Sequence, residues 1–175
     1  KYTYRNSEEL INISSKFVMK NKSQINKKLI SNKHIDKPVE FIYYINPKKS
    51  FNKIYKSLLN NGSLLVLGRN NFDINKFSDE NIPEFMSVHA SKGLESDNVI
   101  LINMTDDMYG FPNKIVNSKL IEELHPSDKT YIYAEERRLF YVALTRTKNK
   151  VYILVPLFKR SIFIKEIKNL TKAIL

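Results

Sequence analysis

Short apolar runs alternate with amphipathic helical stretches along this chain, and this alternation limits the folds that it can adopt. Five runs have the composition of buried strands: residues 39–45, 63–67, 85–88, 99–102 and 151–155. Four stretches have the apolar spacing of helices: residues 7–20, 47–59, 133–147 and 162–174. Strands that are apolar throughout are buried on both faces, which requires helices on both sides of the sheet. We therefore predict an α/β fold with a mostly parallel sheet that is covered by helices on both faces.

Length and composition are those of a globular protein. The 175 residues are enough for one domain with a core, and 42% of them are hydrophobic. No apolar run approaches the eighteen or so residues that a bilayer span needs. The absence of cysteine excludes disulfides and thiol chemistry, which favours a cytoplasmic location. Because the chain begins with Lys1 and shows no internal boundary, we expect residues 1–175 to be a single domain of a longer protein.

The charge of the chain is strongly positive and unevenly distributed. Lys and Arg number 29 against 18 Asp and Glu, which gives +11. Residues 1–60 hold 13 of these basic residues and 4 of the acidic ones. A polyanion such as nucleic acid is one explanation, because each cation that neutralises a phosphate releases counterions. Lysines that only solubilise surface helices are the other, and charge alone does not decide between them.

The glycines and histidines exclude a self-contained nucleotide or metal site. None of the four glycines precedes a lysine, so the chain has no Walker A loop. Asp106 and Asp107 follow an apolar run but lie too far beyond it for a Walker B strand. The three histidines, His34, His89 and His125, do not have zinc spacing. We predict no metal site in this chain.

Two longer segments carry a specific pattern. The first is Ser-Val-His-Ala-Ser-Lys-Gly-Leu-Glu at residues 87–95, and the second is Glu-Glu-Arg-Arg-Leu-Phe-Tyr-Val-Ala-Leu-Thr-Arg at residues 135–146. They resemble motifs V and VI of the UvrD/Rep-type superfamily 1 DNA helicases. Residues 106–112 match the loop that follows motif V in that family, residues 4–7 resemble motif IV, and residues 66–71 resemble a segment that contacts DNA. The resemblance spans nearly the whole chain in the order of the family.

Three positions depart from the family pattern. Asn6 stands where the family usually has Ser, Ser96 stands where an aromatic residue is usual, and Ser87 replaces a common Thr. None of these changes removes a charged group that the chemistry of the family requires.

The resemblance implies the second, C-terminal RecA-like motor domain. An N-terminal RecA-like domain of the same polypeptide would carry the Walker motifs and hold most of the ATP and Mg²⁺. Only residues 72–86 separate the DNA-contacting segment from motif V, so the accessory subdomain that many members insert there is absent. This compact form is similar to the DNA helicase IV branch. The expected partners are single-stranded or duplex DNA and the N-terminal domain, and no membrane.

The matching positions give each candidate residue a role. Arg146 and Arg5 would be arginine fingers that stabilise the γ-phosphate during transfer, which is the catalytic role. Tyr4, Glu95 and Gly93 would bind the nucleotide, with Tyr4 stacking on adenine and Glu95 accepting from a ribose hydroxyl. Four residues would contact the DNA strand: His89, Ser87, Arg69 and Asn71.

Alternatives remain open at this stage. The charged residues 135–138 are expected to form a solvated turn with a structural role. The chain could also be a stand-alone basic module that binds nucleic acid or a partner protein without a catalytic role. A third arrangement keeps the motor but joins it to a nuclease, although nothing in these residues indicates a nuclease site.

Overall fold

A computed structural model of the chain describes residues 2–21, 29–115 and 133–174. Five strands in these residues form one sheet in the order β1-β5-β4-β2-β3, and every neighbouring pair is parallel. The strands are β1 (Val39–Tyr44), β2 (Leu64–Gly68), β3 (Phe85–Ser87), β4 (Ser96–Leu101) and β5 (Thr147–Pro156). The predicted α/β fold with a parallel sheet is confirmed.

Four α-helices in the described residues accompany the sheet: α1 (Glu8–Val18), α2 (Pro47–Leu58), α3 (Ala134–Leu144) and α4 (Ile162–Ile174). Their beginnings follow from local sequence. The Ser7 hydroxyl accepts a hydrogen bond from the Leu10 amide, as expected of a cap, and the Asn46 side chain accepts from the Lys49 amide at 3.0 Å. Pro47 occupies the first turn of α2, where its missing N–H costs nothing.

The helices cover both faces of the sheet and create two apolar cores. Helices α1, α3 and α4 pack on one face, where Phe17, Phe140 and Phe163 are fully buried and meet at ring centroid distances of 5.1–5.5 Å. Helix α2 covers the other face, where Phe51 packs with Phe77. Burial of large aromatic side chains on both faces is what a sheet of continuously apolar strands requires.

The observed strands extend further than the apolar runs predicted. Strand β5 begins at Thr147 rather than Val151, and β4 begins at Ser96 rather than Val99. The added residues are polar, and Ser96 pairs directly with Thr147. A criterion based on apolar runs misses such starts, because backbone pairing does not depend on side-chain polarity.

Residues 116–132, which include His125, lie outside the described residues. Among the helices that the structure describes, none has the length and apolar character needed to cross a bilayer.

The prediction of a solvated charged turn at residues 135–138 is wrong for its two middle members. These residues lie in the first turns of α3, and Glu136 and Arg137 are buried. The Arg137 guanidinium lies 4.4 Å from the Phe17 ring centroid and pairs with both Glu166 oxygens at 2.7 and 3.0 Å. Glu135 and Arg138 remain exposed and pair with each other. Residues three apart share one face of a helix, so Glu135 and Arg138 lie together on the exposed face while the two residues between them are directed into the protein.

Phe163→Ala is expected to lower the free energy of unfolding by about 3–5 kcal/mol, because the aromatic core cannot refill the space of a buried phenyl ring. The change in stability is measured by urea denaturation. Phe158→Ala is the matched control, since this ring is 78% exposed and its removal should change stability by less than about 0.5 kcal/mol. Equal losses in the two variants would contradict the assignment of the core.

Candidate functional site

Two adjacent strands bring Glu95 and Arg146 together. Strands β4 and β5 are parallel neighbours, and their first residues, Ser96 and Thr147, are register partners. Glu95 and Arg146 each precede one of these strands, so both lie at the amino edge of the sheet. The Ser96 amide donates to the Arg146 carbonyl at 3.0 Å, and Arg146 Nη1 donates to the Leu94 carbonyl at 3.3 Å. The segments that resemble motifs V and VI therefore meet at this edge.

Asn6 attaches the third segment to the same point. Its side-chain amide donates to the carbonyls of Thr145, at 3.2 Å, and Thr147, at 2.7 Å. These two carbonyls flank Arg146 in the chain. Asn6 is buried, and its bond to the Thr147 carbonyl is shielded from water. The residue that departs from the family pattern thus fixes the backbone on either side of the candidate arginine finger.

Arg5 and Glu95 form an ion pair at the mouth of this site. Arg5 Nε donates to Glu95 Oε2 at 2.6 Å, and Lys148 Nζ lies 3.3 Å from Glu95 Oε1. The hydrogen bonds from Lys148 and Arg5 hold the pKa of the Glu95 carboxyl below its usual value. Glu95 is therefore an anion shared by two cations, and all three side chains are partly open to solvent.

Arg146 is buried and incompletely bonded. It is 9% exposed, and its Nε has no hydrogen-bond partner among the described residues. Burial lowers the pKa of the guanidinium, and the positive charge of Arg5 lowers it further, while Glu95 acts in the opposite direction. An arginine keeps its charge under such conditions. The site therefore holds a desolvated positive charge with unused hydrogen-bonding capacity.

A cleft of about 540 Å³ opens beside Arg5, Glu95 and Lys148. Its volume is in the range of small-molecule sites. It is lined by residues of four segments: Tyr2, Thr3, Tyr4, Arg5, Leu29, Lys33, Glu95 and Lys148. Tyr4 is 91% exposed, so its ring is free on most of its surface. Gly93 lies in the turn before Glu95 with a φ of +87°, a conformation that favours glycine.

The other candidate residues lie at the opposite edge of the sheet. Strands β2 and β3 pair up to Gly68 and Ser87, and Arg69 and Asn71 follow β2 while His89 follows β3. Asn71 and His89 are exposed, whereas Ser87 is mostly buried at the end of its strand. A six-residue strand spans roughly 20 Å. The structure therefore brings Arg5, Glu95 and Arg146 together. The four residues that are candidates for contacting DNA lie at a separate edge of the sheet.

Arg69 does not present a free charge at this edge. Its Nε and Nη2 bond to the Glu136 carboxylate at 2.7–2.9 Å, and both side chains are largely buried. Glu136 also accepts from the Asn113 amide at 2.9 Å. Partial burial of the His89 ring and the charge of Arg69 lower the pKa of His89, while Glu136 opposes this effect. His89 is accordingly a neutral hydrogen-bonding group near pH 7.

One short connection joins the two edges. Residues 88–95 leave β3 at the carboxyl edge and reach β4 at the amino edge, carrying His89 at one end and Glu95 at the other. Ser91 lies fully buried in its middle, and its hydroxyl donates to the Val88 carbonyl at 2.7 Å. Two backbone hydrogen bonds within residues 88–95, at 3.3 and 3.0 Å, fold this connection into turns.

The part of the chain that the structure describes assembles no group of three His, Cys, Asp or Glu side chains that could hold a metal ion. These residues do not fit a magnesium site, and no chemical step is assigned to a metal on them.

Comparison with known protein families agrees with the arrangement of the motif segments in the structure. The family model for the UvrD-like helicase C-terminal domain matches residues 43–156, which is more than half of the chain. The chain belongs to the UvrD-like helicase C-terminal domain family. The resemblance to the UvrD/Rep-type helicases predicted from the sequence is confirmed.

Individual relatives extend this result. The chain is 41% identical over 87 residues to DNA helicase IV of Escherichia coli K12, covering 50% of the chain and 13% of that protein. It is 30% identical over 97 residues to an ATP-dependent helicase/nuclease subunit of Geobacillus thermodenitrificans NG80-2, covering 43% of the chain and 8% of that protein. The chain therefore matches only a small part of the length of these two relatives.

One solved structure has a similar fold. The crystal structure of the C-terminal domain of a possible DNA helicase from Lactobacillus plantarum WCFS1 superposes with a TM-score of 0.58 at 14% identity, covering 94% of each chain. At this level of identity the likeness concerns the fold alone.

Sequence reasoning missed some of the residues at the two edges of the sheet. Lys148 follows motif VI by two residues and looks like one more surface lysine, yet it pairs with Glu95. The sequence predicts a solvated acid at Glu136, which is instead the anion that holds Arg69. Only the strand register, which aligns Ser96 with Thr147, could have indicated the position of Lys148.

Glu136→Ala is expected to destabilise the protein by about 3–5 kcal/mol, because it leaves the Arg69 guanidinium without its buried partner. The comparison variant is Glu135→Ala, which removes the neighbouring carboxylate. The Glu135 side chain is 63% exposed against 3% for Glu136, so its loss should cost less than about 1 kcal/mol. Urea denaturation of both variants measures the difference, and similar stabilities would contradict a structural role for the Arg69–Glu136 pair.

Proposed function

We propose that this chain is the C-terminal motor domain of an ATP-dependent DNA helicase, and that it completes an ATPase site on an N-terminal RecA-like domain of the same polypeptide. The observation that carries the proposal is Arg146, a buried guanidinium whose Nε has no hydrogen-bond partner among the described residues. It lies near Arg5 and Glu95, which line an open cleft. Names of relatives that include DNA helicase IV and an ATP-dependent helicase/nuclease support the same activity.

The role of Arg146 follows from the charge of the reaction. Negative charge spreads over the oxygens of the phosphoryl group as it is transferred, and a fixed guanidinium stabilises that charge. Arg146 is held by the Leu94 carbonyl and by the backbone bonds from Asn6 and Ser96 on each side. A charge that is positioned before the nucleotide arrives requires no reorganisation during the reaction.

Arg5 is the second finger in this proposal, and Glu95 controls it. Without nucleotide, Arg5 is engaged with Glu95 at 2.6 Å. We assign Glu95 a ribose hydroxyl as its partner in the complex, so nucleotide binding would compete with Arg5 for the same carboxylate. Arg5 would then turn to the phosphates, and Lys148 would keep Glu95 ionised. Tyr4 stacks on the adenine, and Gly93 gives the turn its conformation.

The triphosphate and Mg²⁺ are assigned mainly to the N-terminal domain. Because the fingers and the triphosphate lie on different domains, ATP closes the gap between the domains and hydrolysis opens it. By this proposal, the chain without its partner domain neither hydrolyses ATP nor unwinds DNA.

The DNA strand is assigned to the carboxyl edge of β2 and β3. His89 and Asn71 are exposed there and offer neutral hydrogen-bonding groups. Ser87 and Arg69 are largely enclosed, so we assign them mainly to holding that edge in shape. Residues 88–95 connect this edge to the nucleotide edge, which gives a direct route for nucleotide state to alter strand binding.

Arg146→Ala in the complete protein is expected to lower DNA-stimulated ATPase activity by roughly a thousand- to a hundred-thousand-fold, the usual contribution of an arginine finger. The protein should remain folded, which circular dichroism verifies. Arg138→Ala is the matched control, because this arginine lies on α3 but is exposed and pairs only with Glu135 among the described residues. Near wild-type turnover of Arg146→Ala would refute the proposal and leave a basic binding module without a catalytic role.

Binding of single-stranded DNA by the complete protein should weaken with salt. The logarithm of the binding constant should fall with the logarithm of the salt concentration, with a slope of roughly 0.7 per phosphate contacted. Fluorescence anisotropy at several salt concentrations gives this slope. Binding that does not respond to salt would exclude phosphate neutralisation as the source of affinity.

A further inference from the structure

Two aromatic side chains that contact each other at the carboxyl edge of the sheet are about half exposed. Phe72 and Tyr109 are 49% and 50% exposed, whereas the nearby Phe77 and Phe111 are each 1% exposed. Their rings contact each other edge to face, with centroids 5.7 Å apart and planes at 81°. We propose that Phe72 and Tyr109, termed here the aromatic pair, form a stacking surface for the bases of a single-stranded nucleic acid. This inference rests on the proposed function, which assigns the strand to the same edge.

The aromatic pair lies next to the residues that are candidates for contacting the DNA strand. Phe72 follows Asn71 directly, and Tyr109 lies in the loop after β4. The side-chain amide of Asn70 donates to the Tyr109 carbonyl at 2.9 Å and so joins the two segments. Beside the pair, Met108 is 58% exposed and adds apolar surface. A strand that meets His89 and Asn71 therefore reaches an apolar, aromatic surface on the same edge.

A buried carboxylate fixes the pair in place. Asp73 is fully buried and accepts from the Asn70 amide at 2.9 Å and from the Asn103 side chain at 2.9 Å. Asn103 also donates to the Tyr109 carbonyl, at 3.2 Å. The backbones that carry both rings are thus bonded to one network whose centre is inaccessible to water. Binding to such a preorganised surface loses little conformational entropy.

The chemistry of the pair fits bases rather than phosphates. Every base has a flat π-face that stacks on an aromatic ring, and such contacts tolerate any sequence. The charges near the pair are largely internal, since Lys114 pairs with Asp106 at 3.0 Å and Lys159 lies 3.7 Å from Asp107. Affinity at this point should therefore come from stacking, while phosphate neutralisation takes place elsewhere on the chain.

The test compares strands with and without bases. The complete protein, without nucleotide, is titrated with a short oligothymidine and with a strand of equal length whose sugars are abasic. Phe72→Ala and Tyr109→Ala should each weaken binding of the oligothymidine by roughly 5- to 150-fold, the contribution of one stacked base. Binding of the abasic strand should not change. Phe72→Leu should behave like the alanine variant, and Phe72→Trp should restore binding, because only tryptophan keeps a π-face.

Leu59→Ala is the control, since Leu59 is 44% exposed at the end of α2 and lies away from this edge; it should bind both strands as the wild type does. Equal losses for both strands, or no loss for either, would overturn the stacking surface while DNA-stimulated ATPase activity still supports the proposed function. A wild-type protein that binds neither strand would overturn both.

Discussion

The common start of β4 and β5 is the constraint on which the candidate nucleotide site depends. Two neighbouring parallel strands begin at one edge, so the residues before them are necessarily side by side. Glu95 and Arg146 occupy those positions, and Asn6 binds the carbonyls on both sides of Arg146. Three segments far apart in the chain are thereby fixed by hydrogen bonds to backbone carbonyls, and the charged side chains project from them.

The separation of the two candidate sites follows from the same sheet. In open α/β sheets, ligands usually bind at the carboxyl ends of the strands. Here the candidate DNA-contacting residues occupy that edge, whereas the arginines of the proposed ATPase site lie at the amino edge. A domain that completes a site on another domain has no need of a phosphate loop at its own carboxyl edge. The eight residues 88–95 are the shortest of the connections that run from the carboxyl end of one strand to the amino end of the next.

The sequence predicted the sheet and its helices, because apolar periodicity is a local property. The resemblance to the helicase family assigned Arg5, Glu95 and Arg146 to one nucleotide site. The sequence did not predict which of the charged side chains are buried. Glu135, Glu136, Arg137 and Arg138 are adjacent in sequence, yet the helix turns two of them into the protein. Whether a charged side chain can be buried depends on its ion-pair partner. The partners of Glu136 and Arg137 are Arg69 and Glu166, which lie in other parts of the fold. The polar starts of β4 and β5 were missed for a similar reason, since their pairing is a tertiary property.

Three buried arginines show how such partners separate structure from function. Arg69 is bonded to both oxygens of Glu136, and Arg137 is bonded to both oxygens of Glu166 and lies over two phenyl rings. Arg146 makes one long bond to a carbonyl and has no carboxylate at ion-pair distance in the described ranges. A buried cation is costly unless an anion compensates it. The first two arginines have that anion within the fold, whereas Arg146 has none among the described residues. Under the proposed function, the phosphates of a nucleotide supply it, since they have the charge and the geometry for a guanidinium.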